Sequence, residues 1–394
     1  MIRHAVMLVL MVASCQSTDT SPKPAAQQGS ATSRPRPPTP QAPAPPLPNP
    51  LPGHRRDVTS IVGSAARAAI GDLDGDGKNE LVLVDADRLR IVTPDGRELA
   101  STAVHGGIDV LVVADLDHDH RAEVLAGFGM SREHRDAPAQ VVLYRLDHGQ
   151  LHEEVVLAPQ TTRAEIVEIV PLVDEKSAML IAYYEAKYVV RSVIARHPGS
   201  TWTTSDVASI PMATSYARGD LDGDGKPDLV VGRVYGDNKG AEGDAFVLAA
   251  DGKRSAIPTT RGVRSVAIAD LDGDGHLDVF LADGWHQNYA QSARGLLTWA
   301  HHTEHGFTSE LVEDTAGQYS VGRILPATID GHAAIVTAGN RYVRVFSRDK
   351  DRWRGVSIAD PARDIAVGDL DGVPGDEILT LGDRSEIIDL HGAL

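Results

Sequence analysis

One pattern governs this chain: Asp-Leu-Asp-x-Asp-x-x-x-(Asp or Glu), followed at once by an apolar run. Four copies are intact, beginning at Asp72, Asp115, Asp220 and Asp270, and a fifth, Asp369 to Glu377, has Val373 where the third carboxylate should stand. Two more survive only as outlines, Val170–Asp174 before Ala178–Ala182 and Ala327–Gly331 before Ala333–Thr337. Aligned on their first position the seven fall at 72, 115, 171, 220, 270, 328 and 369, so successive units lie 41 to 58 residues apart. Such a unit cannot bury its apolar face alone and must stack on its neighbours. The period suits a four-stranded blade repeated seven times.

The segments between motifs fit that unit. After each motif's apolar run come a turn and two more short strand-like runs. Leu89–Val92 and Glu98–Val104 flank Pro94-Asp95-Gly96, Val141–Tyr144 and Val155–Leu157 flank Asp147-His148-Gly149, and Phe246–Leu248 precedes Ala250-Asp251-Gly252. Short runs separated by Asp-Gly or His-Gly turns predict β-meander hairpins, and no stretch of useful length carries a helical period. After the last motif only two strands follow, Glu377–Leu381 and Glu386–Leu390, while one spare strand, Asp57–Val62, precedes the first. The expected fold is therefore all-β: a seven-bladed β-propeller whose N-terminal strand closes the last blade and leaves no open edge.

The motif also predicts chemistry. Its carboxylates fall at positions 1, 3, 5 and 9: Asp72, Asp74, Asp76 and Glu80 in the first copy, and Asp115, Asp117, Asp119 and Glu123 in the second. The other two intact copies supply Asp220, Asp222, Asp224 and Asp228, then Asp270, Asp272, Asp274 and Asp278. So many like charges in a tight loop call for a cation, and hard oxygen ligands in a flexible loop suit Ca2+. Position 7 (Lys78, Arg121, Lys226 or His276) would add a backbone carbonyl. Glycine at positions 4 and 6 of three copies permits the sharp turn. An EF-hand is excluded, because position 12 is Leu83, Ala126, Val231 or Leu281 and β-type runs flank the loop. On these residues the chain resembles the FG-GAP and VCBS repeat family over residues 53 to 394. The resemblance implies an integrin-α-like propeller with calcium in the hairpin between the first two strands of a blade. About four structural calcium sites are expected; the Val373 repeat is not expected to bind, and replacing Asp376 beside it with Ala is expected hardly to change the calcium-induced gain in stability.

The N-terminus has other features. Met1–His4 is basic, Ala5–Ala13 is apolar and shorter than a membrane span, and Val12-Ala13-Ser14-Cys15 follows. That end resembles the lipobox of bacterial lipoproteins, which implies cleavage before Cys15 and lipid on its sulfur. By the same resemblance Gln16 argues for the outer membrane. Cys15 is the single cysteine, so no disulfide staples the chain. Twelve of the 23 prolines lie between Pro22 and Pro52, a composition that cannot bury a core and favours an extended spacer. The expected organisation is a signal peptide over 1–14, a lipidated Cys with a Pro-rich linker over 15–54, and the propeller over 55–394. The protein is thereby expected to be exported and lipid-anchored to the bacterial cell envelope.

Sixteen loop carboxylates nearly match the net charge of −17, so the acidity is explained by metal and argues against nucleic-acid binding. Neither a nucleophile elbow nor a free Cys is present, and the repeated loops supply no acid/base pair, so an enzyme is not expected. Binding is expected on the face opposite the calcium loops. Tyr235 in one loop and Trp285, His286 and Tyr289 in another offer stacking or hot-spot residues there. Six residues before the motifs stand Asp109, Glu165, Arg264 and Arg363, a mixed-charge ring near the channel rim. His301, His302 and His305 are weighed as a second metal site. The leading expectation is a binding module for a protein partner; lectin-like polysaccharide binding is the alternative, and a polysaccharide-active enzyme comes third.

Overall fold

The structure is a computed structural model that describes residues 53–104, 106–129, 138–159, 165–172, 175–186, 189–234, 243–249, 252–259, 262–283, 295–303, 306–315, 319, 321–349 and 352–392. Its strands form seven four-stranded antiparallel sheets, each built from strands consecutive in sequence except the last. The first strands of the seven blades are Arg67–Gly71, Gly107–Ala114, Ile166–Pro171, Ala213–Gly219, Ser265–Ala269, Arg323–Ile329 and Asp364–Gly368. Each adjoins the first strands of the blades before and after it, and the seventh adjoins the first, so they line a closed ring. The expected seven-bladed β-propeller is the observed architecture.

Burial explains why the motif's apolar runs lack alternation. The second strands, such as Glu80–Val84 and Glu123–Gly129, are buried at every residue because a neighbouring blade covers each face. The fourth strands, such as Gln150–Leu157 and Thr203–Pro211, are half exposed at the rim. Blade packing is tightest where the first strand ends. A Cβ on Gly71 would lie 2.3 Å from Val113 Cγ1 of blade 2, and one on Gly368 would lie 2.7 Å from Ile70 Cγ2 of blade 1. Glycine before the motif thus reflects close approach between blades. The two outlined repeats are real blades. In the sixth, Ile329 and His332 flank the two-residue turn Asp330-Gly331, with φ of 52° and 75°, which is the geometry of a type I′ hairpin.

The last blade runs Asp364–Gly368, Glu377–Leu381, Glu386–Asp389 and then His54–Asp57 from the N-terminal side, with His54 opposite Asp389 and Asp57 opposite Glu386. The pairing strand is therefore not the expected Asp57–Val62. That segment contains a one-turn helix, Thr59–Val62, because the apolar residues there are spaced for a helical turn. Val58, Val62 and Ala65 are fully buried in one cluster with Leu83, Leu379 and Leu381. The turn is fixed by Asp57 Oδ1 accepting the Thr59 N–H (2.9 Å) and by Ser385, which accepts from Val58 N–H (2.9 Å) and donates its own N–H to Thr59 Oγ1 (3.0 Å).

Candidate functional site

The motif loops join the first and second strands of each blade, and their side chains shape them. In blade 1, Asp72 accepts the N–H groups of Gly75 (2.7 Å) and Gly77 (2.9 Å), Asp74 that of Asp76 (3.1 Å), and Asp76 that of Lys78 (2.9 Å). Glu80 closes the loop by accepting the Leu73 N–H at 2.9 Å. Asp220 and Asp270 repeat the pattern with their own glycines. Arg121, Lys226 and His276, like Lys78, donate their N–H to the Asp two residues earlier. Positions 4 and 6 adopt left-handed backbone, φ 77° and 81° at Gly75 and Gly77, and blade 2 forces His118 and His120 into the same region at 61° and 71°. That conformation costs a non-glycine residue about 1–2 kcal/mol.

The loops draw carboxylates together. Oxygens of Asp72, Asp74 and Glu80 lie within 4.8 Å of one another, as do those of Asp115, Asp117 and Asp119, of Asp220, Asp222 and Asp224, and of Asp270, Asp272 and Asp278. Burial, reinforced by the neighbouring aspartates and partly offset by the Leu73 N–H, pushes Glu80 up to about 7. Burial likewise pushes Asp278 up to about 6 and raises Asp228 and Glu123. Asp117 Oδ1 and Asp278 Oδ2 are buried without a hydrogen-bond partner. Orphaned buried carboxylate oxygens facing other carboxylates fit an oxygen-liganded cation, which would neutralise the cluster and supply the missing contact. Protein cations fill part of that role: Arg145 takes Glu123 (3.1 Å), Lys226 takes Asp224 (3.4 Å) and Arg348 takes Asp272 (3.3 Å). With Leu116 N–H on its other oxygen (2.9 Å), Glu123 has a protein donor on each oxygen.

The degraded loop of blade 7 has a different partner. Asp369 and Asp371 make the same turn contacts, to Gly372 (2.7 Å) and Val373 (2.8 Å). Beside them His391 bridges the Pro374 carbonyl (2.9 Å) and Asp389 (2.7 Å), contacts that push it up to about 9. Glu377, Asp389 and His391 lie within 4.8 Å of one another, so an imidazolium supplies positive charge next to this loop. His391 stands fourteen positions after the motif, and no spacing rule in the sequence pointed to it. Asp376 has a structural partner: its carboxylate accepts the Thr328 N–H (2.6 Å) and its backbone N–H donates to Thr328 O (2.7 Å), joining blade 7 to blade 6.

At the opposite ends of the first strands a second set of polar side chains converges, one link at every blade junction. Arg67 donates to Asp109 O (3.3 Å), Asp109 accepts from Ile166 N–H (2.8 Å), and Glu168 accepts from the Ser215 hydroxyl (3.3 Å) and the Tyr216 N–H. Ser215 accepts from Val266 N–H (3.2 Å), Ser265 from Ile324 N–H (3.3 Å), Arg323 pairs with Asp364, and Asp364 accepts from Ala68 N–H (3.0 Å). The ring of latches surrounds a cavity of about 380 Å³ at the channel mouth. Of the four rim residues expected there, Asp109, Arg264 and Arg363 line it. Glu165 is exposed, and Glu168, three residues on, takes its place.

Cys15, Tyr235, Trp285, His286, Tyr289 and His305 lie outside the described residues. His301 and His302 are consecutive on the strand Leu296–Thr303 and point to opposite faces, His301 against Trp299 (4.4 Å between centroids) and His302 against Phe307 (5.3 Å). They cannot share one ion.

Comparison with known proteins agrees with this geometry. The family model of the FG-GAP-like repeat matches residues 194–281, a span that holds the motif loops of blades 4 and 5 complete. The fold is similar to a chain in the crystal structure of BBS1N in complex with ARL6DN, soaked with mercury, with a TM-score of 0.56 at 14% identity, covering 86% of this chain and 97% of that one. It is also similar to a chain in the crystal structure of Mitotic Checkpoint Complex, with a TM-score of 0.52 at 12% identity, covering 88% and 96%. No curated protein matches the chain.

Proposed function

We propose that this protein is a calcium-stabilised binding module of the cell envelope, tethered through a lipid on Cys15 and presenting a propeller face to a protein partner. The observation that carries the reading is the set of motif loops, in which three carboxylates converge within 4.8 Å and buried oxygens such as Asp278 Oδ2 lack a partner. A divalent cation in each loop would stiffen the junction between neighbouring blades, because the same loops also touch across them: Ala122 N–H donates to Asp72 O (2.7 Å) and Asn79 Nδ2 donates to Asp369 O. The residues placed to hold Ca2+ are Asp72, Asp74, Asp76 and Glu80 and their counterparts in blades 2, 4 and 5, with the carbonyls of Lys78, Arg121, Lys226 and His276 beside them. A propeller fixed in this way is a rigid disc whose loops can vary without disturbing the core.

Two experiments test the reading. Replacing Cys15 with Ser is expected to move the protein from the membrane fraction to the soluble one; a mutant that still pellets with membranes removes the anchor. Cross-linked capture from detergent-solubilised envelopes is expected to recover one protein partner in calcium and to lose it in EDTA. Recovery of polysaccharide instead, with specific binding on a glycan array, refutes the protein-partner reading.

A further inference from the structure

The channel mouth contains an imbalance that the latches do not use. Arg264, Arg323, Arg363 and Arg67 come from blades 5, 6, 7 and 1, so four guanidiniums form one continuous arc of its wall. Arg323 has a carboxylate within ion-pair distance, Asp364, whereas Arg67 feels Asp109 only as a more distant attraction. Arg67 donates to the carbonyls of Ala66 (3.0 Å) and Asp109 (3.3 Å), and Arg363 to that of Gly382 (3.3 Å). Among the described residues none of Arg67, Arg264 and Arg363 forms an ion pair, and the Arg264 side chain makes no hydrogen bond. A guanidinium carries five donors in a planar fork, so most donors of the three are unspent.

The facing wall does not cancel this charge. Its carboxylates, Asp109 and Glu168, are held by N–H groups of the next blade and are pushed up to about 7 by burial. Each is therefore only partly ionised in neutral solution, whereas the arginines stay charged. Hydroxyls of Thr214 and Ser265 complete the lining. A net positive cavity in a chain of net charge −17 is not explained by the general composition. The arginines also lie five or six residues ahead of the motif starts on strands that rise about 3.3 Å per residue, roughly 17–20 Å from those positions.

We propose that the mouth of the central channel is a binding site for a small oxyanion ligand, a compact molecule with two or more carboxylate or phosphate oxygens held by Arg67, Arg264 and Arg363. Guanidinium forks bind such groups bidentately. The cavity volume lies within the range of small-molecule pockets. Arg323 is committed to Asp364 and sets one edge of the site. This inference is independent of the protein-partner reading and concerns a different ligand.

The test is isothermal titration of the full chain in calcium with inorganic phosphate and with succinate, at an ionic strength held constant with sodium chloride. At least one probe is expected to bind with a submillimolar Kd, and which one binds separates phosphate-type from carboxylate-type ligands. The double substitution Arg264→Ala with Arg363→Ala is expected to weaken it about tenfold or more, since both charge-assisted guanidinium forks are lost. Both side chains are exposed and neither belongs to a latch, so the unliganded melting temperature is expected to hold and confirms that the variant is folded. No binding of either probe up to 10 mM, or binding that the double variant leaves unchanged, overturns the site.

Discussion

Calcium should be the dominant lever on the stability of this propeller, and its size can be worked out. Each of four loops brings three carboxylates within 4.8 Å, a charge density that penalises the folded state without a cation. A ligand that binds only the folded form stabilises it by about 2.7 kcal/mol at a hundredfold excess over Kd. For a domain of roughly 340 residues the unfolding entropy is about 0.7 kcal/mol/K, so one saturated site raises the melting temperature by about 4 °C and four by about 15 °C. The sharpest perturbation is Asp224→Asn. Asn keeps the acceptor that holds Lys226 N–H at 2.7 Å and removes one charge from the Asp220, Asp222 and Asp224 triad. The control is Asp371→Asn in the degraded loop, which likewise keeps its contact to Val373 N–H. Melting curves by circular dichroism in millimolar calcium and in EDTA are expected to show a gain smaller by about 4 °C for the first variant and unchanged for the second. Magnesium is expected to give much less, because it demands a tighter octahedral shell. Identical curves in calcium and EDTA, for protein purified free of tightly held metal, would refute the reasoning; so would equal losses in the two variants.

Three further predictions concern protons and the ring. Glu80 and Asp278 are raised in the metal-free fold, to about 7 and about 6, so their penalty is full above pH 7 and disappears as pH falls toward their unfolded values near 4. Lowering pH from 8 to 5 should therefore stabilise the metal-free form at these groups while shrinking the calcium-induced shift, checked by thermal melts at fixed free calcium; a calcium shift that grows on acidification contradicts the assignment. Asp109→Ala orphans the Ile166 N–H and is expected to cost about 1–3 kcal/mol, read as a lower midpoint in urea. Deleting residues 54–62 removes the outer strand of blade 7 and the buried Val58 and Val62, so proteolysis or aggregation is expected, while deleting 18–50 should leave the melting temperature nearly unchanged; equal tolerance of both deletions counts against the strand's role.

How much of this was legible follows from the kind of signal each element leaves. The intact loops were readable because their chemistry is local: a hairpin needing left-handed backbone at positions 4 and 6 records glycine there, and only His118 and His120 break the rule. Blades 3 and 6 were readable from apolar runs at the right spacing, since a second strand covered on both faces must be continuously apolar. The N-terminal segment was misplaced because Val58 and Val62 suit a strand as well as a helical turn, and tertiary packing against Leu379 and Leu381 chose the turn. The contact of Asp376 left no trace in the sequence, because its partner, Thr328, lies 48 residues away in another blade.

The same division runs through the whole molecule. The repeats, read along the chain, already gave the seven blades, the strand order in the first six and the acidic loops, because the signals for these lie within each repeat; the outer strand of the seventh comes from the other end of the chain. Folding of the ring set the contacts between repeats, namely the seven latches and the arginine arc of blades 5, 6, 7 and 1, and it also brought His391 beside the degraded loop. Each latch and each pair of neighbouring arginines joins residues tens to hundreds of positions apart. A single repeat contains no record of which side chain its neighbour will present, so closure of the ring alone brings the four guanidiniums to one cavity.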